Sequence, residues 1–317
     1  MQLHTIIPIK PLNNQIDYQS KIVSIGSCFA VNMARHFQKF QFQNAVNPFG
    51  ILFHPVAVAR LIQFVIENKT FTEQDVFLHN ERWSCFDAHS DLNELEQEEI
   101  IYALNAKLQT FKQNITEASH FILTFGTAWI YRNTTSNQIV ANCHKVHQNQ
   151  FKKELLSTVG CEQEIKQIEK GIRTLNPNVQ MIYTISPVRH IKDGFVENQR
   201  SKAHLTSALQ AHLEKNTEKN YYFPSYEIVM DELRDYRFYA KDLLHPNELA
   251  IDYIWKKFTE NCINPNAIPI MKIVDEVQKG LAHRPFNPYT EAHQQFLDKL
   301  AQKLDVLLEK YPFMNFR

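Results

Sequence analysis

The sequence predicts an α/β fold, a parallel β-sheet with helices on both faces. Three observations carry that expectation. Short apolar runs around Ile22-Val23, Phe121 to Phe125 and Met181 to Ile185 read as strands. The segments between them are long and carry apolar residues at helical spacing. Each run stops at a turn-forming residue, Gly26, Gly126 or Ser186-Pro187. Strands separated by helices of about ten residues or more make βαβ units, and such units give a parallel sheet covered on both sides.

Along the chain, Ile22, Val23 and Ile25 form the first strand, and Phe29, Met33, Phe37 and Phe40 then share one helical face. Gly26 to Cys28 is the turn between them. In NPFGILFHP, Pro48, Gly50 and Pro55 mark turns, and a helix starts near Val56. Ile100, Leu104, Leu108 and Phe111 stripe another helix ahead of the Phe121–Phe125 strand. Phe151 to Leu175 is helical in pattern, through Leu155, Ile165, Ile168 and Ile172, with Gly160 as a break point. Asn176-Pro177-Asn178 turns the chain into the third strand. Arg200 to Leu213 is a further helix, and Ile251, Ile254, Trp255 and Phe258 line a helix that begins just past Pro246.

Near the end, Leu297, Leu300, Leu304, Leu307 and Tyr311 recur at spacings of three and four. The run is shorter than the three to four heptads a coiled coil needs, so it predicts a helix packed back on the domain; the other reading is a helix that makes a homodimer. The expected organisation is one domain over 1–265 and a C-terminal helical extension over 266–317.

Among the 317 residues, 34 Lys and Arg balance 34 Asp and Glu, which leaves no charge excess to attract nucleic acid. No segment approaches the roughly 18 apolar residues of a membrane span, and the N-terminus has no signal-peptide pattern. The expectation is a cytoplasmic protein. The five cysteines form no CxxC pair and are expected to be free thiols.

Two distant segments propose a site. Ser27 and Cys28 deliver a hydroxyl and a thiol to a strand-to-helix turn, and Asp242 and His245 place a carboxylate three residues from an imidazole. A nucleophile at a helix start, a histidine to take its proton and an acid to orient that histidine are the parts of acyl transfer. The plain alternatives are a packed thiol beneath a Ser27 N-cap and a carboxylate capping a turn. Cys143, His144 and His147 are ligand types at short spacing, but no second cluster completes a zinc site, so Asn142 and His144 are expected to line a pocket and no metal is assigned. Arg189-His190, just past the third strand, is a candidate for an anionic or sugar group, with a plain surface loop as the other reading. Asp87, His89 and Asp91 alternate as they would on one face of a strand.

Gly26-Ser27-Cys28-Phe29-Ala30 resembles the signature of the GSCFA-domain family, grouped with the SGNH (GDSL-type) hydrolases; NPFGILFHP, FGTAWIY, ANCHK, ISPVRH, YFPSYE and DLLHPN are similar to its further blocks. The resemblance implies a three-layer α/β/α sandwich of SGNH or flavodoxin-like type, thinning out after about Ile263. It implies that Asp242 and His245 are the superfamily's DxxH pair. Laid on GDS, the GSC turn puts Cys28 in the nucleophile position, with Ser27 as the other candidate. The block with the oxyanion asparagine falls on Gly126 to Trp129, where no asparagine stands, so Gly50, Thr127 or Asn142 would substitute, with the Cys28 N–H. His89 becomes a pocket candidate. The implied function is an acyl hydrolase or acyltransferase, an esterase acting on a small molecule or glycan, with no cofactor. Its rivals are a non-catalytic binding protein that keeps the pocket and a metal-dependent hydrolase.

Overall fold

The structure, a computed structural model, describes residues 5–215 and 218–316. Its centre is a five-stranded sheet of β1 (Lys21–Gly26), β2 (Gln43–Val46), β5 (His120–Phe125), β9 (Gln180–Ile185) and β10 (Asn220–Tyr222). All neighbours are parallel and the order across the sheet is β2-β1-β5-β9-β10. β5 and β9 are buried at every position and β1 at all but the first, which is why they read as unbroken apolar runs.

Helices cover both faces. α2 (Pro55–Glu67), α3 (Gln97–Glu117), α4 (Thr158–Leu175) and α5 (Phe195–Lys215) enclose one core with Val23, Ile25, Leu123 and Tyr183. α1 (Cys28–Lys39) and α7 (Glu248–Cys262) enclose the other, joined by α8 (Ile268–Ala282) and α9 (Glu291–Lys310). The fold is therefore α/β with three layers and C-terminal helices. Leu300, Leu307 and Tyr311 of the C-terminal seam are buried in that second core, with the Tyr311 ring 5.1 Å from Tyr18. Leu297 is exposed.

Two small sheets are added. The hairpin of β3 (Phe77–His79) and β4 (Arg82–Ser84) turns through Asn80 and Glu81, both at positive φ, as a two-residue hairpin loop requires. β6 (Trp129–Asn133), β7 (Ile139–Val140) and β8 (Phe151–Leu155) form an antiparallel insert between β5 and α4. β8 corrects the helix expected from Phe151: the first five residues pair with β6, and the helix starts only after Ser157, whose hydroxyl accepts from the Gly160 N–H. The expected strand through Asp87, His89 and Asp91 is likewise a loop, with Ser90–Leu92 in a 3-10 turn and Asp87 paired with Arg60 at 3.0 Å. The YFPSYE block holds the end of β10 and a helical turn, α6 (Ser225–Glu227). All five cysteines are free. Among the described residues no helix is long and apolar enough to cross a membrane.

Because β2 and β5 lie on opposite sides of β1, the chain reverses direction between β1 and β5, and ligands in such sheets bind at the carboxyl ends of the strands at that point. Cys28 follows β1 there.

Candidate active site

The turn after β1 accepts only glycine at its first position. Gly26 has φ +147°, and a Cβ there would lie 2.1 Å from the Thr124 carbonyl oxygen. Ser27 follows as the N-cap of α1: its N–H donates to the Thr124 carbonyl at 3.2 Å and its hydroxyl accepts from the Phe29 N–H at 3.3 Å. With 1 % of its surface exposed, Ser27 is a buried cap. Cys28, the first helical residue, is half-buried and opens on a cleft of about 740 Å³ together with Ile51, Arg35, His36, Glu248, Asp252 and His245. Of the two candidate nucleophiles, Cys28 is the one that faces the cleft. Burial pushes its thiol up, and the Asp242 charge adds to that; the Lys202 ammonium and the Phe29 and Cys28 N–H groups draw it down.

Asp242 and His245 are already joined. Asp242 Oδ2 lies 2.6 Å from His245 Nδ1, while its Oδ1 accepts from the N–H groups of Leu244 at 2.9 Å and His245 at 3.0 Å. Those three hydrogen bonds, the backbone pair foremost, hold the carboxyl down to about 2. Use of Nδ1 by Asp242 leaves Nε2 of His245 for the cleft. The loop is closed at its base by Ala240 N–H to the His245 carbonyl at 2.8 Å, and Asn247 caps α7 immediately after it.

Arg189 belongs to this loop. Its Nη2 donates to the Leu243 carbonyl, its backbone N–H to the Leu244 carbonyl at 3.3 Å, and its guanidinium lies 4.4 Å over the Tyr239 ring. Nη2 of Arg189 thus braces the turn that carries Asp242 and His245, while its Nε is buried without a hydrogen-bond partner.

Of the expected oxyanion donors, Gly50 and Thr127 are committed elsewhere. The Gly50 N–H donates to the Asn47 carbonyl at 2.8 Å, and Gly50 is glycine because its φ is +72° and a Cβ would meet His89 Cβ at 2.2 Å. The Thr127 N–H and the Gly126 N–H share the Phe53 carbonyl at 3.2 and 2.7 Å. The Thr127 hydroxyl lies 2.8 Å from the Ser201 hydroxyl and accepts from the Trp129 N–H at 3.0 Å. The Cys28 N–H, at the first helical position, has no intrahelical acceptor and lies on the positive end of the α1 dipole.

Beyond the end of β5, the β6-β7-β8 insert closes a second pocket of about 280 Å³, lined by Phe53, Trp129, Tyr131, Asn142, Cys143 and His190 among others. Thr127 and Asn142 are in its wall. Asn142 Oδ1 accepts from the His144 N–H at 2.8 Å, which leaves its NH2 end to donate. His144 is buried, with Nε2 2.8 Å from the Cys85 carbonyl oxygen, so it stands behind the pocket instead of lining it. His89 packs on Gly50 with Nδ1 3.0 Å from Asp91 and lines neither pocket. His147 caps the turn Gln148–Gln150. Among the described residues no three His, Cys, Asp or Glu side chains form a metal-holding group.

Two further groups stand at the strand ends, Lys202, to which the sequence assigned no chemistry, and His190, expected beside Arg189 to meet an anionic or sugar group. Lys202, 1 % exposed, donates from Nζ to the carbonyls of Gly126 and Ser186, both at 2.6 Å. His190 has its Nε2 buried without a hydrogen-bond partner, and burial, with the Lys202 and His245 charges, pulls the ring down to about 4. A signal for Lys202 existed: it shares the apolar stripe of α5 with Leu205 and Leu209, where a lysine is out of place.

Among solved structures, the fold is similar to a carbohydrate esterase family 3 protein from Talaromyces cellulolyticus, at 10% identity and TM-score 0.28, over 50% of this chain and 64% of that one. It is also similar to an acetyl xylan esterase from the rumen bacterium Butyrivibrio proteoclasticus, at 11% identity and TM-score 0.37, over 85% of this chain and 66% of that one. The chain thus spans just under two thirds of the length of either structure, and likeness at this level carries no argument about its chemistry. No curated protein matches the sequence. The model of the GSCFA family matches residues 21–258, and that of the GSCFA domain protein, C-terminal domain, matches residues 274–317. With most of its length inside the first of these, the chain belongs to the GSCFA family.

Proposed function

We propose that this chain is a cytoplasmic acyl-transfer enzyme, a hydrolase or acyltransferase of SGNH type acting on an ester of a small molecule or glycan. Cys28 attacks the ester carbonyl and becomes a thioester as His245 takes the thiol proton and gives it to the leaving alcohol. His245 then takes a proton from the water or acceptor alcohol that attacks the thioester and returns it to the sulfur, while Asp242 orients the imidazole and stabilises its charge. The observation that carries the reading is the 2.6 Å pair of Asp242 and His245 on the same cleft as a thiol at a helix start. Oxyanion charge develops beside the Cys28 N–H at the positive end of α1. The aromatic pocket at Phe53, Trp129 and Tyr131, with the Asn142 amide in its wall, has the mixed apolar and hydrogen-bonding surface that suits the acyl group or a sugar ring.

The test is iodoacetamide labelling with peptide mapping, alongside hydrolysis of p-nitrophenyl acetate. Folded wild type is expected to label at Cys28 and to turn over substrate, and His245→Ala to lose both. Failure of Cys28 to label in folded wild type overturns the proposal. That result, with a bound ligand still detectable in the cleft, would favour a non-catalytic binding protein.

A further inference from the structure

The pocket beyond the end of β5 joins aromatic rings to polar groups that carry no charge. Phe53, Trp129 and Tyr131 supply the rings. Asn142 lines it with Oδ1 already accepting from the His144 N–H, which leaves both amide hydrogens to donate. His190 lines it with an imidazole that makes no hydrogen bond among the described residues: its backbone N–H is bonded to Asn198 at 2.8 Å, but Nε2 is buried without a partner. Gly126 leaves that ring room to turn, since a Cβ there would meet Phe53 Cβ at 3.0 Å and His190 Nε2 at 3.4 Å. Burial keeps His190 neutral, and a neutral imidazole offers one donor and one acceptor. The acid of the wall, Asp193, is paired with Lys153, whose ammonium lies 4.3 Å over the Trp129 ring. Lys192 is exposed, where water screens its charge.

These walls select among ligands. An alkyl chain would fill the aromatic part but leave the Asn142 amide and the His190 imidazole facing it unpaired, which is costly in a closed space. An anion would find no buried cation in the wall without a partner. A flat heterocyclic base presents its hydrogen-bonding groups along one edge, whereas Asn142 follows β7 and His190 follows β9, two separate segments. A pyranose ring meets every condition: its C–H groups suit the negative faces of aromatic rings, and its hydroxyls, each both donor and acceptor, point outward around the ring. At about 280 Å³ the pocket is at the small end of ligand sites, room for one such ring and not for a chain of them.

We propose that this pocket is a monosaccharide subsite, which takes one uncharged pyranose unit against Phe53, Trp129 and Tyr131 and bonds its hydroxyls to the Asn142 amide and the His190 imidazole. This deepens the acyl-transfer reading above and rests on it for one point: the sugar is the alcohol part of the ester, not the acyl part. Pocket and cleft are neighbours along the chain. Ile51 lines the Cys28 cleft and Phe53, two residues on, lines the pocket. Arg189, next to His190, bonds through its backbone N–H to Leu244, next to His245.

The experiment is an NMR titration of the full chain carrying Cys28→Ala, which removes turnover, with the methyl glycosides of glucose, galactose, mannose and xylose; hexanoate and adenosine are the rival probes. At least one glycoside should bind with a Kd on the order of 1–10 mM, as suits a ligand of about twelve non-hydrogen atoms. Its binding should shift the Trp129 indole N–H and Asn142 amide signals. His190→Phe, which keeps a ring on Phe53 but removes both nitrogens, and Trp129→Leu should each weaken binding about tenfold, with folding checked by circular dichroism. Binding by no glycoside, tighter binding of hexanoate or adenosine, or undiminished binding in both folded variants overturns the proposal. Should neither variant fold, the shifts decide: glycoside shifts that spare Trp129 and Asn142 overturn it. The two readings fail separately. Hydrolysis of p-nitrophenyl acetate by wild type without glycoside binding keeps the acyl-transfer reading and overturns the subsite; glycoside binding without turnover by wild type keeps the subsite and overturns the chemistry.

Discussion

Arg189 donates to the carbonyl of Leu243, a leucine held at φ +59° in the middle of the turn that presents Asp242 and His245. A branched side chain in the left-handed region costs on the order of 1–2 kcal/mol and persists only where the surroundings enforce it. The guanidinium over Tyr239, bonded to the Leu243 carbonyl, and the Arg189 backbone N–H, bonded to the Leu244 carbonyl, are that enforcement.

Arg189→Met should therefore damage the site more than the fold. In an assay of ester hydrolysis, kcat is expected to drop about tenfold or more, the cost of misplacing the base, while KM for a small ester stays near wild type. A rise in KM with kcat intact would instead point to a direct role in substrate binding.

Ser27 and Cys28 should separate cleanly by mutation. Ser27→Ala removes an N-cap and is expected to cost about 1 kcal/mol in a urea titration, with labelling at Cys28 retained. Cys28→Ala should abolish turnover with little change in the unfolding midpoint. Loss of turnover in Ser27→Ala with an intact fold would return the nucleophile to the serine.

Gly26→Ala combines a disallowed φ with an overlap on the Thr124 carbonyl. It is expected to destabilise the fold by about 3 kcal/mol, seen as a lower urea midpoint. A neutral effect would mean that the β1–α1 turn is softer than its geometry implies.

Acid stability should report a network far from the site. Glu169 is bonded to His212 at 2.6 Å, Arg173 at 2.6 Å and Asn220 at 3.0 Å, and these partners outweigh its burial and hold it down to about 2. A carboxylate depressed by folding contributes stability that is present above its unfolded value near 4.5 and is lost as pH falls toward 2. Thermal unfolding of wild type should weaken through that window, and Glu169→Gln should be less stable at neutral pH with a flatter acid limb.

Much of this architecture was legible because the central strands are buried on both faces, so Phe121–Phe125 and Met181–Ile185 carry no competing pattern. β8 was not legible: Lys152, Lys153 and Glu154 on a half-exposed antiparallel strand have no apolar run, and Leu155 and Leu156 lead almost directly into the helix that follows. The Asp242–His245 pair was legible because both groups come from one turn. The commitments of Gly50, Thr127 and Arg189 were not, since each is settled by a partner distant in sequence or by a backbone carbonyl that composition does not mark.

With the N–H groups of Gly50 and Thr127 engaged, the proposed chemistry draws its attacking atom and its oxyanion donor from one residue, Cys28. Sulfur and amide are then separated by a single rotatable bond, and any tilt of α1 carries both through the same displacement. Such a site is insensitive to small helix motions in its angle of attack but relies on one backbone donor beside the sulfur. Its tolerance to drift resides in the helix, and its fragility in a single peptide plane.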